Sequence, residues 1–137
     1  MKLHIVLATG GLLFCSVMLF AGLPAGAQDD SELWGGRDIR MEMTAQGATI
    51  EFDCGHGSIL QPVKPNAAGE FSVAGTYTPE RGGPIRKDNP PSDLPATYKG
   101  TISGDRMRLE ILLSDKDRQP PPFTLTRGGA GKLMKCR

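Results

Sequence analysis

Apolar and polar side chains alternate with a period of two along most of the chain beyond residue 38. Ile39, Met41 and Met43 share one face of an extended segment, with Arg40 and Glu42 on the other. Ile50, Phe52 and Cys54 repeat the pattern after the Gln46-Gly47 turn, against Thr49, Glu51 and Asp53, and Ile59 continues it from His56 toward Gln61. Phe71, Val73 and Tyr77 alternate with Ser72, Ala74 and Thr76; Tyr98, Gly100 and Ile102 alternate with Lys99 and Thr101. Met107, Leu109, Ile111 and Leu113 then face away from Arg106, Arg108 and Glu110, Phe123 and Leu125 follow, and Leu133 to Cys136 closes the chain. Period-two runs bounded by Gly, Pro, Asn or Asp mark half-buried strands, and no segment sustains a helical stripe. The pattern predicts about eight short strands joined by turns such as Ser103-Gly104-Asp105.

The N-terminus reads differently. Met1-Lys2 is followed by an apolar run from Leu3 to Phe20 and then by Ala21-Gly22-Leu23-Pro24-Ala25-Gly26-Ala27. A positive start, an apolar stretch and an A-x-A end make residues 1–27 a signal peptide, with cleavage expected after Ala27. A retained membrane anchor is the alternative, because the apolar run approaches the roughly 20 residues of a spanning helix. Cys15 is expected to leave with the signal. Residues 28–36, opening on Gln28-Asp29-Asp30, read as a flexible N-terminal segment, and 37–137 as a single domain. Export places that domain in the periplasm or outside the cell.

Two cysteines remain, Cys54 and Cys136, and in an oxidising compartment only one pairing is open to them. A disulfide closing so long a loop is worth roughly 4 to 5 kcal/mol in the chain-entropy view. Strands with one apolar face each must wrap a common core. Antiparallel strands with short turns close most simply into an up-and-down barrel, with a two-sheet sandwich as the alternative. The expected fold is therefore an all-β antiparallel barrel whose disulfide ties the second strand to the last.

Composition narrows the chemistry. The whole chain carries 16 basic and 15 acidic residues. Loss of Lys2 makes the exported part formally neutral, which argues against nucleic acid and anionic membrane surfaces as partners. His56, in Asp53-Cys54-Gly55-His56-Gly57, is the only histidine after the signal; Asp53 or Glu51 is near enough in sequence to orient it as a general base, but no Ser or Cys nucleophile motif accompanies it. One histidine among scattered carboxylates makes a poor metal site, and Gly35-Gly36, Gly82-Gly83 and Gly128-Gly129 do not stand between a strand and a helix as phosphate loops do. No metal or cofactor is expected. Two longer connections are rich in proline, Pro79 to Pro95 and Asp115 to Pro122, and are the first places to seek a binding surface. Candidate ligand-binding residues are His56, Arg81, Tyr77 and Tyr98. Trp34, the sole tryptophan, and Arg127 are expected to close one barrel end by a cation–π contact.

Trp34 with Arg127, the run Tyr98-Lys99-Gly100-Thr101-Ile102-Ser103-Gly104-Asp105-Arg106-Met107-Arg108-Leu109 and the run Phe123 to Gly128 resemble the calycin barrels of the lipocalin and avidin type. Lipocalins carry Gly-x-Trp, whereas here Trp34 precedes Gly35-Gly36. Trp-Gly-Gly, Phe-Asp-Cys-Gly-His-Gly and the terminal Lys-Cys-Arg are also similar to an uncharacterised group of small exported bacterial proteins. The segment Ile50 to Gly55 together with Cys136 resembles periplasmic C-type lysozyme inhibitors, although their Ser-Gly-Ser-Gly-x-Tyr loop has no counterpart. These readings imply a monomeric, non-enzymatic binding protein that takes a small apolar ligand inside the barrel or an exported protein on its proline-rich loops. The alternatives are an inhibitor of a secreted hydrolase such as lysozyme, and a hydrolase built on His56.

Overall fold

A computed structural model describes residues 30–136 together with Gly22. The expected signal peptide, Cys15 included, lies outside the described residues apart from Gly22. The strands are β1 (Glu32–Gly36), β2 (Ile39–Met43), β3 (Ala48–Phe52), β4 (Gly55–Ile59), β5 (Glu70–Pro79), β6 (Leu94–Ser103), β7 (Arg106–Leu113) and β8 (Phe123–Arg127). Each pairs antiparallel with the next, and β1 pairs back with β8, so the sheet closes into the expected up-and-down barrel. Among the described residues the only helical turn is a 3-10 turn at Lys116–Arg118, and no helix is long and apolar enough to cross a membrane.

Three expectations change. Glu32–Gly36, read as part of a flexible lead-in, is a barrel strand, so the domain begins at Glu32 rather than at residue 37. Its alternation is invisible in the sequence because Gly36, which follows Trp34 on the inward face, has no side chain to mark it. Conversely, Leu133 to Cys136 is not a strand: after β8 the chain makes one isolated bridge, Arg37 to Lys132, and runs on as a strap. The count of eight is right, but one strand was exchanged for another. The third change concerns the disulfide. Cys54 lies in the β3–β4 turn and Cys136 in the strap, with their Cα atoms 5.2 Å apart, so the bond joins a turn to the tail rather than two strands.

The strap is laid on by backbone contacts. Gly128 N donates to Leu33 O at 2.6 Å, Lys132 N to Gly36 O at 3.0 Å, and Asp38 N to Lys132 O at 2.8 Å. It crosses the outer face of β1 at Gly35, where a Cβ would collide with the backbones of Gly129 and Gly131. Beyond, Cys136 N donates to Asp53 O at 3.0 Å and Met134 N to Asp53 Oδ1 at 2.8 Å.

Inside, one face of every strand meets in a single core that includes Trp34, Met41, Ile50, Phe71, Met107, Leu109 and Leu125. Tyr98 of β6 is wholly buried among them and reaches across two neighbouring strands. Its ring lies over Gly75 of β5, its hydroxyl stands at Gly57 of β4, and it donates to Thr76 O at 2.7 Å. A Cβ at Gly57 would overlap the hydroxyl, and one at Gly75 would stand 2.8 Å from the ring. Burial, seconded by Tyr77, pushes the Tyr98 phenol far above its ordinary range, so it stays protonated and donating. Glycine here is a vacancy that the tyrosine fills, and the interior is packed with the protein's own side chains as an eight-stranded barrel permits.

One end is closed by the expected pair. Trp34 and Arg127 are cross-strand partners, and the guanidinium carbon sits 4.4 Å from the indole centroid. Glu32 accepts from Trp34 Nε1 at 3.1 Å and also pairs with the Arg127 guanidinium, which reaches Asp105 at 3.7 Å. Partial exposure of these charges keeps each ion pair modest; the cation–π contact contributes about 0.5–2 kcal/mol.

Two predictions follow from this packing. Gly57→Ala is expected to destabilise the barrel by about 1–3 kcal/mol through overpacking. In a Tyr98→Phe background, where the overlapped oxygen is gone, its cost is expected to fall measurably; a double-mutant cycle in urea checks this, and additive costs would refute it. Arg127→Gln is expected to lower stability by about 1 kcal/mol. It also shifts emission of Trp34 to the red by admitting water to the ring; because Trp34 is the sole tryptophan, fluorescence reads this end alone.

Candidate functional site

The other end of the barrel gathers the β1–β2 and β3–β4 turns, both proline-rich connections and the end of the strap. Here the interior finishes in an aromatic group. Phe52 meets Tyr77 edge-on, with centroids 5.5 Å apart, and Phe123 at 5.4 Å. The Tyr77 phenol is raised by burial first and by the nearby Glu80 carboxylate second.

His56 lies on the outer face of β4, opposite Glu51 on β3 and Thr78 on β5. Its Nδ1 meets Glu80 Oε1 at 2.9 Å. Lys135 of the strap approaches Glu80 Oε2 at 3.6 Å while donating to Phe52 O at 3.0 Å, and Glu80 N donates to Cys54 O at 3.0 Å. The hydrogen bond from His56 holds the Glu80 carboxyl below its ordinary range; Lys135 adds to this, and partial burial opposes it. Glu80 is thus a junction where β4, the β3–β4 turn, the strap and the start of the β5–β6 loop are fastened together.

That loop, residues 80–93, is fastened at its other foot by Thr78 Oγ1, which donates to Asp93 Oδ1 across the loop base. Between the feet every residue from 81 to 93 is exposed. Pro84, Pro90 and Pro91 fix φ along it. Gly83 has φ of 101°, which other residues rarely adopt, and Asn89 N donates to Arg86 O at 3.2 Å in a turn near the tip. The loop curls round a pocket of about 310 Å³ lined by Arg81, Arg86, Asn89 and the prolines, and Ile85 on its rim is 79% exposed. The second connection is held against the barrel: Gln119 accepts from Leu113 N at 2.8 Å and donates to Leu113 O at 2.7 Å, acting as a substitute strand residue.

The four residues proposed from sequence to bind a ligand do not converge. Tyr98 is sealed in the core, Tyr77 stands under the loop end, His56 is outside on β4, and Arg81 is on the loop. What the fold brings together is His56 with Glu80 and Lys135, and Arg81 with Arg86. Sequence reasoning missed Glu80, Lys135 and Arg86. The signal for Lys135 was present: it adjoins Cys136, and a Cys54–Cys136 bond places it beside Cys54 and hence near His56. For the hydrolase reading, the carboxylate on the imidazole belongs to Glu80, whereas Asp53 accepts from the strap. Among the described residues no group of three His, Cys, Asp or Glu side chains is placed to hold a metal ion. The chain matches no protein-family model, no curated protein and no solved structure.

Because the Glu80 carboxyl is depressed in the folded state, its stabilising contribution is present above the ordinary carboxylate range and is lost as pH falls through the lowered value. Glu80→Gln is therefore expected to destabilise at pH 6 and to have a smaller effect at pH 3. Urea midpoints of both proteins across this range check the sign; a constant difference would refute it.

Proposed function

We propose that the protein is a non-enzymatic binding protein of the periplasm or the extracellular space that engages another protein with its β5–β6 loop. The observation that carries this reading is the loop itself: an exposed segment, stiffened by proline and fastened at both feet, by Glu80 on one side and by Thr78 with Asp93 on the other. A segment ordered before binding loses less conformational entropy on association, which favours affinity. The packed interior around Tyr98 leaves the enclosed apolar ligand with little support. The exposed disulfide supports an oxidising compartment, and the signal-like N-terminus agrees with it. Inhibition of a secreted hydrolase is the form of this reading in which the exposed Ile85 tip enters a cleft.

The test compares the intact protein with a variant in which residues 81–92 are replaced by a short glycine-asparagine turn, both used as bait in the exported fraction of the native cell. A partner retained by the intact protein and by a Lys64→Ala control, and lost on loop replacement, is the expected result. Equal retention by both baits overturns it, as does a small molecule of fixed mass carried by the barrel in native mass spectrometry.

A further inference from the structure

Three basic and three acidic side chains occupy the loop and its feet: Arg81, Arg86 and Lys87 against Glu80, Asp88 and Asp93. Two of the three carboxylates are already engaged on the barrel. Glu80 is held by His56 and Lys135, and Asp93 accepts from Thr78. Asp88 is absent from the pocket lining, whereas Arg81 and Arg86 both contribute to it. Among the described residues neither guanidinium forms an ion pair. The pocket thus holds two arginines without an internal counter-ion, in a concavity whose other walls are four prolines together with Gly82, Gly83, Ile85, Asn89 and Ser92.

We infer that this pocket is an oxyanion site, taking a carboxylate or a phosphate on a short stem. The guanidinium fork matches both groups in bidentate fashion, and such charge-assisted bonds are among the strong ones available. Asn89 and Ser92 add an amide and a hydroxyl to the lining, and Gly82 and Gly83 allow close approach of a ligand to the backbone. The volume, about 310 Å³, stands at the small end of ligand pockets, room for an anionic group with a few attached atoms rather than a large cofactor. The inference rests on the loop being the recognition element and names the group its partner presents.

The experiment is an NMR titration of the purified, oxidised, ¹⁵N-labelled protein at fixed ionic strength, with inorganic phosphate in one arm and succinate in the other. Saturable shifts confined to residues 81–92 are expected in at least one arm, with affinity weakened about tenfold or more in Arg81→Gln/Arg86→Gln. Both arginines are exposed, so the double variant keeps its fold, which dispersion of its remaining amides verifies. Arg106→Gln, which removes one exposed charge from β7, should leave binding unchanged. Saturation by phosphate alone assigns a phosphorylated group; saturation by succinate assigns a carboxylate. Linear shifts spread over the protein, or equal weakening by Arg106→Gln, overturn the site. Failure here with a loop-dependent partner in hand removes only the anion chemistry; success here with no such partner removes the protein-docking reading.

Discussion

The fold depends on how one tyrosine is accommodated. A barrel of eight strands has an interior that must be filled by side chains or left for a ligand, and Tyr98 decides the matter by lying along the inner wall instead of pointing across it. It does so because β5 and β4 offer Gly75 and Gly57 where a side chain would otherwise project. Phe71 uses Gly100 of β6 in the same way. Glycine weakens an isolated strand. In a closed barrel that weakness is offset, since each vacancy is filled by a large ring from a neighbouring strand and both strand edges are paired.

With the interior occupied, the two ends divide the remaining tasks. One end has the β2–β3 and β6–β7 turns and the β4–β5 connection, residues 60–69, and is sealed by Trp34 under Arg127, with Glu32 joining indole and guanidinium. The other has the β5–β6 and β7–β8 connections, and what holds it together is polar and external: Glu80 at the meeting of four segments, Gln119 standing in for a strand residue, and the strap with its disulfide. Exposed ion pairs taken singly contribute little. Glu80 differs because its partners, His56 and Lys135, are themselves positioned by a barrel strand and by the strap, which reduces the side-chain entropy lost in forming the contacts.

How much of this the sequence discloses follows from what each part depends on. Strands β2 and β7 are legible because their inward residues are large and apolar and their outward ones charged, as with Met107, Leu109, Ile111 and Leu113 against Arg106, Arg108 and Glu110. β1 is illegible because Trp34 is its one large buried residue and Gly35 and Gly36 carry no pattern. Leu133 to Cys136 misleads in the opposite direction: an apolar residue two positions from another resembles strand alternation, but Met134 is 73% exposed and the segment is held by hydrogen bonds to Asp53. The Trp34–Arg127 contact was readable as a pairing of residue types, since barrel closure brings the first strand against the last. The Glu80 junction was legible only in part: the expected disulfide puts Lys135 beside Cys54 and His56, but Glu80 joins them through the register of β4 on β5, which the alternation of side chains does not specify.

The placement of the disulfide bears on the loop more than on the core. Cys54 and Cys136 are both exposed, and the strands around them are already continuous without the bond. A cross-link over a separation of 82 residues acts chiefly by restricting the unfolded chain. Its local consequence in the folded state is to hold Lys135 within reach of Glu80, and Glu80 anchors the foot of the β5–β6 loop. Both Glu80 carboxylate oxygens are engaged, Oε1 by His56 and Oε2 by Lys135, and Glu80 makes no ion pair with Arg81. The contacts that fasten the foot of the loop thus leave Arg81 and Arg86 lining the pocket with no ion-pair partner among the described residues, and the anion site proposed above rests on that arrangement.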